Sequence, residues 1–96
     1  MRSIKELLSL KGKRALITGA NGGIGRQLAA TIAELEGDLI LVDQPNSDYS
    51  ELLNSLSENS DSQSTCIDCD LENEKDRVNL IATVLKDKEP LNILIN

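Results

Sequence analysis

Aromatic side chains are almost absent from this 96-residue chain: Tyr49 stands alone, with no Phe and no Trp. A core must therefore be assembled from Leu, Ile, Val and Ala, and at this length its stability is expected to be marginal. There is no His, which removes the commonest general base and the commonest metal ligand from the stretch. No apolar run approaches the roughly 18 residues of a membrane span, so no transmembrane helix is expected. Met1 to Gly12 interleaves Lys5, Glu6 and Lys11 with Ile4, Leu7, Leu8 and Leu10. That pattern is amphipathic and lacks the unbroken apolar stretch of a signal peptide. Ten basic residues against sixteen acidic ones leave a net charge of −6. The balance argues against a nucleic-acid-binding surface and against a polybasic membrane anchor. Two cysteines without a secretory signal point to a reducing, cytoplasmic setting.

What is present is an alternation of two periods. Arg14-Ala15-Leu16-Ile17-Thr18 is a short apolar run, as in a buried strand. Ile24, Leu28, Ile32 and Leu35 follow on one helical face, with Gly37 as the expected stop. Leu39 to Val42 is a second strand closing on Asp43. Tyr49, Leu52, Leu53 and Leu56 form a second helical face, opened by Asp48 and Glu51 as a capping pair. Ser57 to Ser64 is polar and of low complexity, a surface loop. Thr65-Cys66-Ile67 is a weaker third strand, and Val78, Ile81, Ala82 and Leu85 make the cleanest helical face. Pro90 blocks its continuation, and Leu91 to Ile95 is a fourth apolar strand. Strands apolar on both faces, alternating with helices, predict an α/β fold with a doubly wound parallel sheet. The order β-α-β-α-β-α-β with right-handed crossovers gives strand order 3-2-1-4, Rossmann-like. In that order the fourth strand is an edge, yet its sequence reads as doubly buried. The fold is therefore expected to be incomplete, with the chain cut at the end of that strand.

Thr18-Gly19-Ala20-Asn21-Gly22-Gly23-Ile24-Gly25 joins the first strand to the first helix. In such a turn Gly19 permits a tight exit from the strand, Gly23 a close approach to a pyrophosphate, and Gly25 close packing of helix on strand. Amides of the first helical turn then face the phosphates. Asp43 lies eighteen residues beyond Gly25, near the spacing of a ribose-binding carboxylate. A carboxylate accepts hydrogen bonds from ribose hydroxyls and repels a 2′-phosphate; neither Gly22 nor Gln44 is basic, so NAD is expected in preference to NADP. The loop continues Arg26-Gln27, which rules out a P-loop. An S-adenosylmethionine-binding loop of a methyltransferase shares the glycines and the acidic strand end, but fits the eight-residue pattern less well.

With these motifs the chain resembles the short-chain dehydrogenase/reductase family over residues 13–96. Thr18-Gly19-x-x-x-Gly23-x-Gly25 matches that family's TGxxxGxG pattern. Asp70-Leu71 resembles its pair lining the adenine pocket, and Pro90 to Asn96 its approach to an NNAG segment, with Asn92 where Asp is frequent. The resemblance implies an NAD(H)-binding portion of an oxidoreductase that moves hydride between nicotinamide and a carbonyl or alcohol substrate. Gly19, Asn21, Gly23 and Ile24 would line pyrophosphate and ribose. Asp43 would hold the adenosine ribose, Asp70 and Leu71 would flank adenine, and Asn96 would approach the nicotinamide. The catalytic Ser, Tyr-x-x-x-Lys and Asn of such enzymes follow the NNAG segment, so no catalytic residue is expected within residues 1–96. Residues 1–12 are then an amphipathic extension and 13–96 the first part of a dinucleotide-binding domain, homo-oligomeric when complete. A nucleotide-sensing or scaffold protein with the same fold is the non-enzymatic alternative.

Other constellations are weaker. Cys66-Ile67-Asp68-Cys69 is a CxxC whose Cys66 lies inside the third strand, not at a helix N-terminus where a thiolate is stabilised, and no further Cys or His completes a metal site. Tyr49 has Leu53 rather than Lys four residues on and reads as a packing residue. Asp68, Asp70, Glu72, Glu74 and Asp76 read as a solvated loop and a favourably charged helix start.

Overall fold

A computed structural model of the chain describes residues 8–56, 63–86 and 90–96. The elements are β1 (Arg14–Thr18), α1 (Gly23–Glu34), β2 (Asp38–Asp43), α2 (Ser50–Leu56), β3 (Ser64–Asp68), α3 (Glu74–Lys86) and β4 (Ile93–Ile95). The four strands form one sheet in the order β3-β2-β1-β4, and every pairing is parallel. This is the Rossmann-like winding expected from the alternation of strands and helices. Residues 1–7 of the expected extension and 57–62 of the expected loop lie outside the described residues, as do 87–89. No described helix is long and apolar enough to cross a membrane.

Period-2 alternation in β1 and β2 divides the core between two faces. Ala15, Ile17, Leu39 and Leu41 meet Ala29, Ile32 and Ala33 of α1 and Leu52 and Leu56 of α2. Leu16, Ile40 and Val42 meet Leu80 of α3 on the other side. The two inner strands are thus buried on both faces, which is why their sequence runs apolar without a break. In the absence of large aromatics, Ala29 and Ala33 let α1 approach the sheet closely.

Several local assignments differ from the periodicity. In α1 the buried residues are Gly25, Ala29, Ile32 and Ala33, while Ile24 is 78% exposed. Small residues, together with Ile32, set the contact stripe. Glu36 rather than Gly37 takes the left-handed conformation after α1, with φ 72°. Gly37 is instead a matter of space: a Cβ there would lie 2.7 Å from Ile32 Cγ2. In α3 only Leu80 is buried, and Val84 is partly buried against it. Val78, Ile81 and Leu85 are 58%, 59% and 74% exposed, so the cleanest apolar face in the sequence is left open to solvent. β4 pairs over three residues only, Ile93 to Ile95. At position 92 the side chain stands in for the ladder: Asn92 Oδ1 accepts from the Arg14 N–H at 2.9 Å, and the Asn92 N–H donates to the Arg14 carbonyl at 2.9 Å. Leu94 is 66% exposed, as an edge position leaves it.

Candidate dinucleotide site

At the carboxyl end of β1 the chain turns through Gly19 with φ 66°, a conformation that side-chain-bearing residues rarely adopt. The turn is pinned to β2 by the Ala20 N–H donating to the Val42 carbonyl at 3.1 Å, and it closes on itself through the Gly22 N–H and the Gly19 carbonyl at 3.0 Å. A Cβ on Gly25 would run into the Gly19 carbonyl and lie 3.0 Å from Ala20 Cα. The last glycine is therefore demanded by packing within the chain. Gly23 is not, for a Cβ there meets nothing within 4 Å.

The start of α1 is built unlike the other two helices. Its N-cap, Gly22, offers no side-chain hydrogen bond, and its first turn holds no acidic residue. At α2, Asp48 Oδ1 accepts from the Ser50 N–H at 2.9 Å, and Glu51 lies in the first turn. Hydrogen bonds from the Ser50 side chain and backbone hold Asp48 below its usual carboxylate range. Glu51 pairs with Arg26 at 3.3 Å. At α3, Asn73 Oδ1 accepts from the Asp76 N–H at 3.1 Å, with Glu74 and Asp76 in the first turn. The chain thus offsets the partial positive charge of α2 and α3 with its own acids and leaves that of α1 uncompensated.

Two clefts meet at Gly19. The larger, about 390 Å³, is lined by Thr18, Gly19, Gly22, Gly23, Ile24 and Asn96 among others. The Thr18 hydroxyl donates to Asn96 Oδ1 at 3.0 Å and so ties the end of β1 to the end of β4. The smaller, about 130 Å³, is lined by Gly19, Val42, Asp43, Gln44, Cys69 and Leu71. Asp43 is oriented by backbone on both sides: Oδ2 accepts from the Asn21 N–H at 2.9 Å, and Oδ1 from the Gln44 N–H at 2.8 Å. Asn21, which lines neither cleft, donates from Nδ2 to the Asp48 carbonyl at 3.1 Å. Asp70 stands beside the smaller cleft with Oδ1 accepting from the Glu72 N–H at 3.0 Å.

Of the residues singled out in the sequence, Gly19, Gly23, Ile24 and Asn96 share the larger cleft, and Asp43 and Leu71 share the smaller one. Sequence reasoning missed Thr18 as a tie to β4, Cys69 as a cleft wall and Arg26 as a donor. The Arg26 Nε–H donates to the Asn21 carbonyl at 2.9 Å. Its place one turn into α1 was the available signal.

The remaining candidates sit in surroundings of a different kind. Burial pushes the Cys66 thiol up, reinforced by Asp68. Burial does the same at Cys69, with Asp76 and Asp70 adding to it. Both shifts disfavour a reactive thiolate. Tyr49 lies one residue before α2, and its hydroxyl donates to the Ile67 carbonyl at 3.2 Å. Burial, helped by the Asp68 charge, pushes its pKa up to about 12. Among the described residues no group of three or more His, Cys, Asp or Glu could hold a metal ion.

The model of the short chain dehydrogenase family matches residues 13–96. The chain belongs to the short-chain dehydrogenase family. It is 33% identical over 95 residues to gluconate 5-dehydrogenase of Gluconobacter oxydans (strain 621H), covering 95% of this chain and 35% of that protein. The crystal structure of the NADPH-dependent 3-quinuclidinone reductase from Rhodotorula rubra superposes with a TM-score of 0.79 at 29% identity, over 98% of this chain and 35% of that one. An NADH-dependent reductase complexed with NAD gives 0.77 at 28% identity, over 91% and 36%. These relatives of the short-chain dehydrogenase chain are oxidoreductases by name, and NADPH stands in the name of one and NAD in that of another. The chain spans about a third of the length of each relative.

Proposed function

We propose that this short-chain dehydrogenase chain forms the NAD(H)-binding part of an oxidoreductase acting on a carbonyl or alcohol substrate. The observation that carries the reading is the uncompensated start of α1, which opens at a glycine turn beside an acid oriented by two backbone amides. An anion fits the first, and the open space over Gly23 admits its approach. Vicinal hydroxyls fit the second. A carboxylate offers about four acceptor positions, and the amides of Asn21 and Gln44 use one on each oxygen of Asp43. One per oxygen is left for a ribose.

In this reading Gly19, Asn21, Gly23 and Ile24 hold the pyrophosphate and its ribose, Asp43 the adenosine ribose, and Asp70 and Leu71 the adenine. Asn96, fixed by Thr18, marks the nicotinamide side. Bound nicotinamide supplies or accepts the hydride. The residues of this chain bind and orient it, and the groups that move the substrate proton lie outside residues 1–96. Residues 13–96 belong to the dinucleotide-binding domain and 1–12 to an extension. The whole protein acts in the cytoplasm as a homo-oligomer.

Asp43 sets the preference for NAD over NADP. A 2′-phosphate removes a hydroxyl donor and adds like-charge repulsion. Hydrogen bonds to charged groups contribute roughly 1.5–3 kcal/mol, so a preference of about tenfold to a hundredfold is expected. Dissociation constants for both dinucleotides are to be measured on the wild type, on Asp43→Ala and on Asp43→Ala with Gln44→Arg. The ratio should fall in the first variant and turn toward NADP in the second, where Arg meets the phosphate. Equal affinities in the wild type, or a ratio unmoved by Asp43→Ala, would refute the assignment.

A further inference from the structure

We infer that Arg26 is a positioning residue that fixes the Asp43 carboxylate for the adenosine ribose, acting through the backbone of Asn21 from its carbonyl to its N–H; this rests on the dinucleotide reading above. Four residues, on three elements and the glycine turn, are joined in one line. Glu51 on α2 meets Arg26 Nη1 at 3.3 Å. Arg26, in the first turns of α1, donates from Nε to the Asn21 carbonyl at 2.9 Å. The N–H at the other end of residue 21 donates to Asp43 Oδ2 at the tip of β2, also at 2.9 Å.

The two ends of the line differ in weight. Glu51 has a side chain 82% exposed, and an exposed ion pair contributes little. The guanidinium–carbonyl bond is charge-assisted and comes from a helix that packs on the sheet core. It acts on a turn whose conformation is otherwise permissive, since glycines stand at 19, 22 and 23.

Its effect falls on Asp43. Without the Asn21 N–H, that carboxylate keeps, among the described residues, the amide of its own neighbour Gln44, which engages one of its two oxygens. Cofactor binding would then bear the ordering cost of the side chain. The turn itself survives loss of Arg26, because Ala20 remains bonded to Val42 and the Asn21 side chain to Asp48. Arg26→Gln is therefore expected to fold.

The test has two arms. The first is a double-mutant cycle on the NAD dissociation constant with Arg26→Gln, Asp43→Ala and both together. Arg26→Gln should weaken NAD about threefold to tenfold when Asp43 is present, and less than about twofold in the Asp43→Ala background, because coupled residues are not additive. The second needs no cofactor: hydrogen exchange at the Asn21 amide is followed by 15N NMR. The amide should be protected in the wild type and exchange several-fold faster in Arg26→Gln, and Arg26→Lys, which keeps a donor, should restore part of the protection. Equal losses of affinity in both backgrounds, or unchanged exchange at Asn21 in Arg26→Gln, overturn the inference. If the Asn21 protection falls in Arg26→Gln while the wild type does not bind NAD, the dinucleotide reading falls and the Arg26–Asn21–Asp43 relay stands.

Discussion

Gly25 and Gly23 lie two residues apart and answer to different neighbours. A methyl group on Gly25 meets the Gly19 carbonyl, which is backbone and has no rotamer to yield. Gly25→Ala should therefore destabilise the fold by about 1–3 kcal/mol, read as a lower urea midpoint. Gly23→Ala adds a group to open space. It should leave that midpoint nearly unchanged and weaken dinucleotide binding several-fold, because the intruding carbon stands where the phosphates approach. A loss of stability without a loss of binding at Gly23 would assign this glycine to the fold alone. Tyr49, the single aromatic residue, offers a further test. Its pKa is raised from 10.0 to about 12 in the fold. The folded state then holds the phenolic proton more tightly than the unfolded chain. The stability this supplies is complete below pH 10 and is lost as the pH rises through 12. Tyrosinate absorbance should rise near pH 12 in the folded chain and near 10 in denaturant. An ordinary midpoint in both would mean that Tyr49 is not held against Ile67.

At the scale of elements, the order of strands and helices was legible because the interiors of β1 and β2 lack polar positions and each strand is followed by a helical period. The faces were less legible. Periodicity shows that Val78, Ile81 and Leu85 share a side of α3, but not that Leu80 and Val84 hold that helix to the sheet. The stripe of Gly25, Ala29 and Ala33 was hidden for a related reason: small residues contribute little to an apolar pattern, although they decide how closely α1 packs. Asn92 reads in the sequence as a mild departure from a motif and in the fold as the group that meets the Arg14 N–H. The exposed positions have a consequence. Leu16, Leu80, Ile81, Leu85, Leu91 and Leu94 border an apolar groove of about 310 Å³ between α3 and β4. The 96-residue chain should therefore self-associate, and Ile81→Glu with Leu94→Lys should lower its apparent mass in sedimentation. A wild-type chain that stays monomeric at high concentration would contradict this.

For the whole molecule, both clefts open at the carboxyl ends of the parallel strands and meet at one turn, where ligands of such sheets are held. The glycines, the acid and their separation were visible in the sequence. The relay from Arg26 through Asn21 to Asp43 was not, since it depends on how the two peptides flanking Asn21 face. No His occurs in residues 1–96, and the single Tyr hydroxyl is engaged by Ile67. NAD-dependent oxidation of alcohols by this chain alone should therefore equal the rate without protein. The most direct test of the account is a titration of the 15N-labelled chain with NAD. Saturable shifts are predicted at Gly19, Asn21, Gly23, Ile24 and Asp43, with α3 at Val78, Ile81 and Leu85 unmoved. No saturable response, or shifts centred on α3, would contradict it.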